Sequence, residues 1–261
     1  MKAVHRVLDI HAPQAPMPDG LCALGVMTKA PRAGKVKTRL SPPLTPLEAA
    51  ALNVCFLRDT GAAISAATRD NAARGVGVYT PVGEEAAWTG ILPDDFDLIA
   101  QRGREFGERL TFATEDLFRC GFASVCLIDS DSPTVPQSAY AYAVTALHES
   151  GDRIVFGPSD DGGYYLIGMK ESHRELFQAI EWSTDRVAEQ TLARAAELKL
   201  KVRMLPTWYD VDDRTTLQRL CDELLSPSRG EGEGYAAPRT RDYLATIVKN
   251  EGRDRIWPAT M

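Results

Sequence analysis

The tightest constraint on the fold comes from two short apolar runs without polar alternation, Leu21 to Thr28 and Ala123 to Ile128. The second holds Val125, Cys126, Leu127 and Ile128 in a row. A strand with one wet face alternates apolar and polar residues, so unbroken runs indicate strands covered on both faces, as in a parallel sheet between helices. Shorter strands are expected at Val76 to Thr80, Asp97 to Ala100, Arg153 to Phe156, Tyr164 to Met169 and Val202 to Leu205. Between them lie helical segments. Pro46 opens an Ala/Leu-rich helix to about Ala67, with Gly61 as a weak point inside it. Glu105 to Arg119 is amphipathic and stops before Gly121. Pro136 to His148, Thr184 to Leu198 and Asp213 to Leu225 follow as further helices. This alternation predicts one α/β domain over residues 21–225, three layers of helix, sheet and helix, with a mostly parallel sheet.

The flanks read differently. Residues 1–20 carry charges and prolines but no apolar core of a signal peptide, and are expected to be a flexible extension. Residues 226–261 read as a Gly/Ser/Pro-rich linker, Ser226 to Gly234, and a tail with a short helix at Arg239 to Lys249. A formal net charge of -6 argues against a nucleic-acid binder, and no apolar stretch approaches the roughly eighteen residues of a membrane span. Five cysteines without a C-x-x-C suggest reduced thiols, no zinc site and a cytoplasmic, soluble protein. The four histidines are scattered, and none pairs with a serine or cysteine in a nucleophile motif.

Against that acidic background, the loop after the first strand collects Lys29, Arg32, Lys35, Lys37 and Arg39 around Pro31 and Gly34. Loops at the carboxyl ends of strands are where open α/β sheets bind ligands, so this one is a candidate phosphate site. It is not a Walker loop, because Val36 follows Gly34-Lys35 where that motif needs serine or threonine. No G-x-G-x-x-G follows the strand either.

Carboxylates stand at three further strand ends: Asp129-Ser130-Asp131, Asp160-Asp161-Gly162-Gly163 and Asp210-Val211-Asp212-Asp213. Asp213 precedes a helix and reads as its cap. Acids from separate strands suit a hard divalent cation, which usually takes only one or two protein carboxylates and leaves the rest of its shell to water and substrate phosphate. The paired glycines permit close backbone approach to a ligand beside Asp161. A basic loop and acidic strand ends in one sheet together suggest a nucleotide-diphosphate site, bridged by a metal.

Taken as a set, these motifs resemble a bacterial family of GT-A-like transferases. The matching residues are Lys29-Ala-Pro-x-x-Gly-Lys-Val-Lys-Thr-Arg-Leu40, Gln101 with Gly107-Glu-Arg109, and Ser130-Asp131-Ser-Pro133. Gly157-Pro-x-x-Asp161-Gly-Gly-Tyr-Tyr-Leu-Ile-Gly168, Trp182-Ser-Thr184 and Asp210-Val-Asp212 complete the set. Members are labelled arsenosugar-biosynthesis glycosyltransferases or selenodomain-associated transferases. The family is similar to nucleotide-diphospho-sugar transferases and, more distantly, to nucleotidyltransferases such as the molybdenum-cofactor guanylyltransferase. The resemblance implies a GT-A-like fold over residues 21–225. It implies phosphate contacts from Lys29, Lys35, Lys37 and Arg39, and Mg²⁺ or Mn²⁺ held by Asp131 and Asp212. Asp161 would act at the donor sugar or acceptor, with Gly162, Gly163 and Trp182 against the substrate and Gln101 and Arg109 shaping the pocket floor. Asp129 stands where the family usually has glycine, and Asp213-Arg-Thr-Thr216 replaces its usual Thr-Pro-Glu-Asp.

The expected function is a metal-dependent glycosyltransferase that uses a nucleotide-diphospho-sugar donor and a small-molecule acceptor. The same charges serve a nucleotidyltransferase, in which a phosphorylated small molecule attacks a nucleoside triphosphate. A nucleotide-sugar-binding protein without catalysis is the third reading.

Overall fold

Strands and helices alternate along the chain in a computed structural model that describes residues 5–11, 17–68, 72–226 and 234–257. Strands β1 (Cys22–Lys29), β2 (Ala73–Thr80), β3 (Asp97–Ala100), β4 (Ser124–Ile128), β5 (Arg153–Pro158), β6 (Tyr164–Met169) and β7 (Lys201–Met204) form one sheet. Its order is β3-β2-β1-β4-β6-β5-β7. All pairings are parallel except those of β6, which runs antiparallel to both β4 and β5. Helices α1 (Pro46–Ala67), α2 (Phe106–Arg119), α3 (Gln137–His148), α4 (Val187–Glu197), α5 (Arg214–Leu225) and α6 (Pro238–Glu251) complete the three layers.

The unbroken apolar runs are explained by two cores, one on each side of the sheet. Cys22, Leu24 and Val26 of β1 and Cys126 and Ile128 of β4 pack against Leu57, Ile64, Ala143 and Leu147 of α1 and α3. The alternate residues, Ala23, Val125 and Leu127, face Leu110, Leu117 and Ala195 of α2 and α4. Both parities are buried, so no polar residue can alternate. Gly61 is less a weak point than a close approach: a methyl group there would lie 2.6 Å from Cδ of Pro93. The fourth helix begins at Val187, later than Thr184. Ser183 takes a left-handed conformation, and the Thr184 hydroxyl closes a turn onto the Glu181 carbonyl.

Both flanks join the fold where they are described. Val7 pairs with Leu98 alongside β3, Leu8 N–H donates to the Leu98 carbonyl at 2.7 Å, and Arg6 grips Asp97. Residues 5–8 thus dock on an edge strand rather than forming the expected free extension, and they occupy backbone groups that an edge leaves unpaired. Residues 1–4 and 12–16, and most of the expected linker (227–233), lie outside the described residues. After the linker comes a fourteen-residue helix, α6, longer than the sequence suggested. Leu244 and Ile247 of α6, together with Ile256 and Trp257, form a third apolar cluster with Leu52 and Phe56 of α1 and Leu217 and Leu220 of α5.

Ala237 precedes α6 and has no side chain to cap it, so the cap comes from another helix. Buried Asp59, in α1, accepts the N–H groups of Arg239 and Thr240 at 3.1 and 2.7 Å. Asp59→Ala is therefore expected to cost about 1–2 kcal/mol, the worth of an N-cap. Asp59→Asn, which keeps one acceptor oxygen, should lose less. Urea denaturation measures the totals, and hydrogen exchange should show α6 amides losing protection before those of the sheet.

Candidate active site

The basic loop and the acidic motifs sit at the carboxyl ends of β1, β4, β5 and in the segment after β7. Three contacts gather those ends. Val211 N–H donates to the Asp131 carbonyl at 3.0 Å, Asp160 N–H to the Trp208 carbonyl at 2.9 Å, and Asp129 N–H to the Tyr165 carbonyl at 3.0 Å. The backbone thereby draws Asp131 and Asp212 together although 81 positions separate them in the chain.

Lys37 lies at the centre. Its ammonium is 2.8 Å from Asp131 Oδ1, 2.9 Å from Asp212 Oδ1 and 2.8 Å from the Val211 carbonyl, with only 4% of the side chain exposed. The ring of Phe56 lies beneath it, with its centroid 5.7 Å from Nζ. Burial alone would lower the Lys37 pKa, but the charges and hydrogen bonds of Asp131 and Asp212 outweigh it and hold the pKa raised. Lys37 reaches this position from a left-handed backbone (φ 48°), uncommon for a residue with a side chain. Gly34, at φ 71°, turns the same loop without that penalty.

Two cavities meet at this clamp. A basic one of about 250 Å³ is lined by Lys29, Lys35, Lys37, Arg39 and Asn53. An acidic one of about 490 Å³ is lined by Asp129, Asp131, Asp161, Asp210 and Asp212, with Trp182 on its wall. Arg39, Asp131 and Asp212 border both. A smaller apolar recess of about 160 Å³, walled by Met27, Phe106, Leu110 and Leu127, opens beside Asp129 and Asp131. Trp182 meets Phe106 edge to face, with centroids 5.0 Å apart, giving the acidic cavity an aromatic side.

The acids repel one another there. The Asp129 carboxyl lies well above the ordinary carboxylate range, first because of burial and then because of Asp131, although it accepts the Ser132 hydroxyl at 2.7 Å. Asp210 is pushed up to about 7 by burial and by the nearby Asp161 and Asp212. Among the described residues no three His, Cys, Asp or Glu side chains converge to hold a metal ion unaided. Lys37 bonds both Asp131 and Asp212, and Arg39 lies 3.8 Å from Asp212. Yet with Asp129, Asp161 and Asp210 the acids of this cavity outnumber those cations, a lining that fits a hard divalent cation taking two protein ligands and completing its shell with substrate phosphate.

Most of the site residues expected from the sequence converge here, and four do not act as expected. Lys37, expected at phosphate, is instead bonded to Asp131, Asp212 and the Val211 carbonyl, and the others are Gln101, Arg109 and Gly162. Lys29, Lys35, Lys37, Arg39, Asp131, Asp161, Gly163, Trp182 and Asp212 all line one cavity or the other. Asp161 Oδ1 is oriented by the Gly163 N–H at 2.8 Å. Gln101 instead spends its side-chain amide on the carbonyls of Thr28 and Val78, tying β1 to β2, at 3.1 and 2.7 Å. Arg109 donates to the Arg104 carbonyl at 3.0 Å. Neither lines a cavity described above. Gly162 is also not open to a ligand, because a methyl group there would lie 2.0 Å from the Asp185 carbonyl oxygen. The chain's own backbone fills that space, and Ala188 N–H donates to the Gly162 carbonyl. Asp213 caps α5 by accepting the Thr216 N–H at 2.8 Å, as its position suggested.

Among the lining residues outside the expected site are Asp210, Phe106 and Asn53. Spacing could have found Asp210, since residues two apart in an extended segment share a face. Asp210 and Asp212 line the acidic cavity while Val211 between them is fully buried. Asn53 lies within α1 and carries no sequence signal.

The family model for uncharacterized proteins conserved in bacteria, DUF2064, matches residues 63–184. The crystal structure of a proposed nucleotide-diphospho-sugar transferase from Desulfovibrio desulfuricans G20 is 30% identical, with a TM-score of 0.72. The match covers 88% of this chain and 97% of that one. A nucleotidyl transferase from Methanothermobacter is 13% identical over 78% of this chain and 97% of its own, with a TM-score of 0.50, a likeness of fold alone. No curated protein matches the chain. The three-layer fold is that of the nucleotide-diphospho-sugar transferases. Among the described residues no helix is long and apolar enough to cross a membrane.

Proposed function

The chain belongs to the bacterial DUF2064 family, and from that footing we propose that it is a glycosyltransferase acting on a nucleotide-diphospho-sugar. One observation carries the reading: a cation-lined cavity and a larger acid-lined cavity share the border of Arg39, Asp131 and Asp212. A diphosphate ester of a sugar has the matching division of charge. Its phosphates would lie against Lys29, Lys35 and Arg39, and its sugar against Asp161 and the Trp182 wall. The 30% identical relative is itself proposed to be a nucleotide-diphospho-sugar transferase.

Asp131 and Asp212 would hold Mg²⁺ or Mn²⁺, which when bound stabilises negative charge on phosphate oxygens. Lys37 keeps those two carboxylates fixed and prevents their mutual repulsion from opening the site. Asp161, oriented by Gly163, would take the proton of the acceptor hydroxyl as that oxygen bonds to the anomeric carbon. The nucleoside diphosphate then leaves toward the lysines. Five buried, free thiols suit a cytoplasmic site of action.

The reading is tested by offering a panel of nucleotide sugars and nucleoside triphosphates with Mn²⁺. Release of a nucleoside diphosphate from a sugar nucleotide is the expected result. Pyrophosphate released from a triphosphate in the presence of a sugar phosphate would replace it with nucleotidyl transfer.

A further inference from the structure

The basic cavity contains one residue whose chemistry the charges do not explain. Asn53, in the third turn of α1, lines its wall beside Lys35, Lys37 and Arg39. It is only 4% exposed, and its Oδ1 is sealed from solvent with no hydrogen-bond partner among the described residues. A buried carboxamide oxygen without a partner is costly, and buried polar side chains are normally bonded. The helix has no need of asparagine here. Its neighbours Leu52 and Phe56 are apolar core residues, and asparagine is a poorer helix former than leucine. What asparagine offers is a neutral donor: among the described residues its NH₂ has no bond and, unlike Oδ1, is not sealed from solvent, so it is the amide atom left to the cavity that Asn53 lines.

On the reading that the basic cavity holds a diphosphate, we propose that the Asn53 carboxamide is a phosphate-binding group of this site. Its NH₂ donates to a phosphate oxygen at the cavity wall. Lysines attract the anion without fixing its orientation, because an ammonium is a point charge on a flexible stem. A neutral amide on a helix adds direction and carries no charge that must be desolvated. Lys37 cannot supply this, because its ammonium is already bonded to Asp131, Asp212 and the Val211 carbonyl.

The test compares the wild-type protein with Asn53→Leu and Asn53→Asp by titration calorimetry with inorganic pyrophosphate and with UDP, in Mg²⁺. Leucine keeps the branch at Cγ and removes the unbonded amide, although it is the larger side chain. Relief of the unbonded amide should offset the tighter packing, so the melting temperature should change little. At the same time the substitution should weaken pyrophosphate binding about ten- to a hundredfold, the worth of a hydrogen bond to a charged group. Asn53→Asp keeps the shape and adds like charge, so its loss should be larger. Pyrophosphate affinity retained in both variants would make Asn53 a packing residue and overturn the assignment. Weakened UDP binding with unchanged pyrophosphate binding would overturn it too, by moving the contact to the nucleoside. A wild-type protein that binds neither probe would instead remove the diphosphate reading itself.

Discussion

Lys37→Met is expected to reduce transfer by about 10²–10³-fold, the usual cost of removing one preorganised electrostatic group. Methionine keeps the stem over Phe56 and removes only the charge between Asp131 and Asp212. Those carboxylates are 32% and 44% exposed, so water partly replaces the lost partner. The stability cost should therefore be about 1–2 kcal/mol, well short of the cost of breaking a fully buried pair. The pH dependence has a definite sign. The folded pKa of Lys37 is raised, so its contribution is complete below the unfolded lysine value of about 10.4 and fades as pH rises through the folded one. The stability gap between wild type and variant should thus be constant through neutral pH and close only in strong alkali. Urea titrations at pH 7 and above pH 10 measure it. A gap that closes near pH 7 would mean that another group supplies the effect. Lys37→Arg should not restore activity, because a planar fork cannot reproduce three bonds to two carboxylates and a carbonyl from a single nitrogen.

Much of this architecture could be read from local chemistry. The helix from Pro46 to Ala67 ends where the sequence placed it, because Pro46 at the first turn and the Thr45–Glu48 capping box mark its start. Strands β3 and β6 also match, since each is a short apolar run bounded by charge or glycine. Local signals fail where a distant partner decides. Nothing near Val7 says that it will lie beside Leu98, and nothing near Ala237 says that Asp59 of α1 will cap the next helix. The site divides in the same way. Lys35, Arg39 and Asp131 announce themselves by charge at strand ends. Gln101 and Arg109 carry the same polar signature, but backbone carbonyls consume their hydrogen bonds, and a one-dimensional pattern cannot show this. Gly162 looked like room for a substrate because glycine leaves space, yet only the fold shows that Asp185 fills it. Asn53 is the converse, an unremarkable helix residue that the fold sets on the cavity wall.

The Asp131→Asn variant should be the most damaging change that leaves the fold intact. Asparagine preserves the volume, and its side-chain oxygen can still accept from Lys37 in place of the present 2.8 Å contact. The Asp131 carbonyl that receives Val211 N–H is untouched. What disappears is one negative charge at the border of the two cavities. If that charge holds the divalent cation, turnover should fall by at least about 10²–10³-fold. The nucleotide-dependent Mn²⁺ signal in paramagnetic resonance should fall with it, while circular dichroism and the melting temperature barely change. Asp129→Asn is the control. Asp129 sits behind Asp131, bonded to the Ser132 hydroxyl, and burial followed by the Asp131 charge holds its carboxyl well above the ordinary range. A group already biased toward its protonated form has little charge to offer a cation, so its amide should cost far less. Removing the Asp131 charge should also lower the Asp129 pKa, a shift that carbon-detected NMR titration can follow. Undiminished metal-dependent turnover in Asp131→Asn, with Asp129→Asn inactive, would transfer the metal to the inner carboxylate. Lys37 would then clamp Asp131 and Asp212 without either holding the metal.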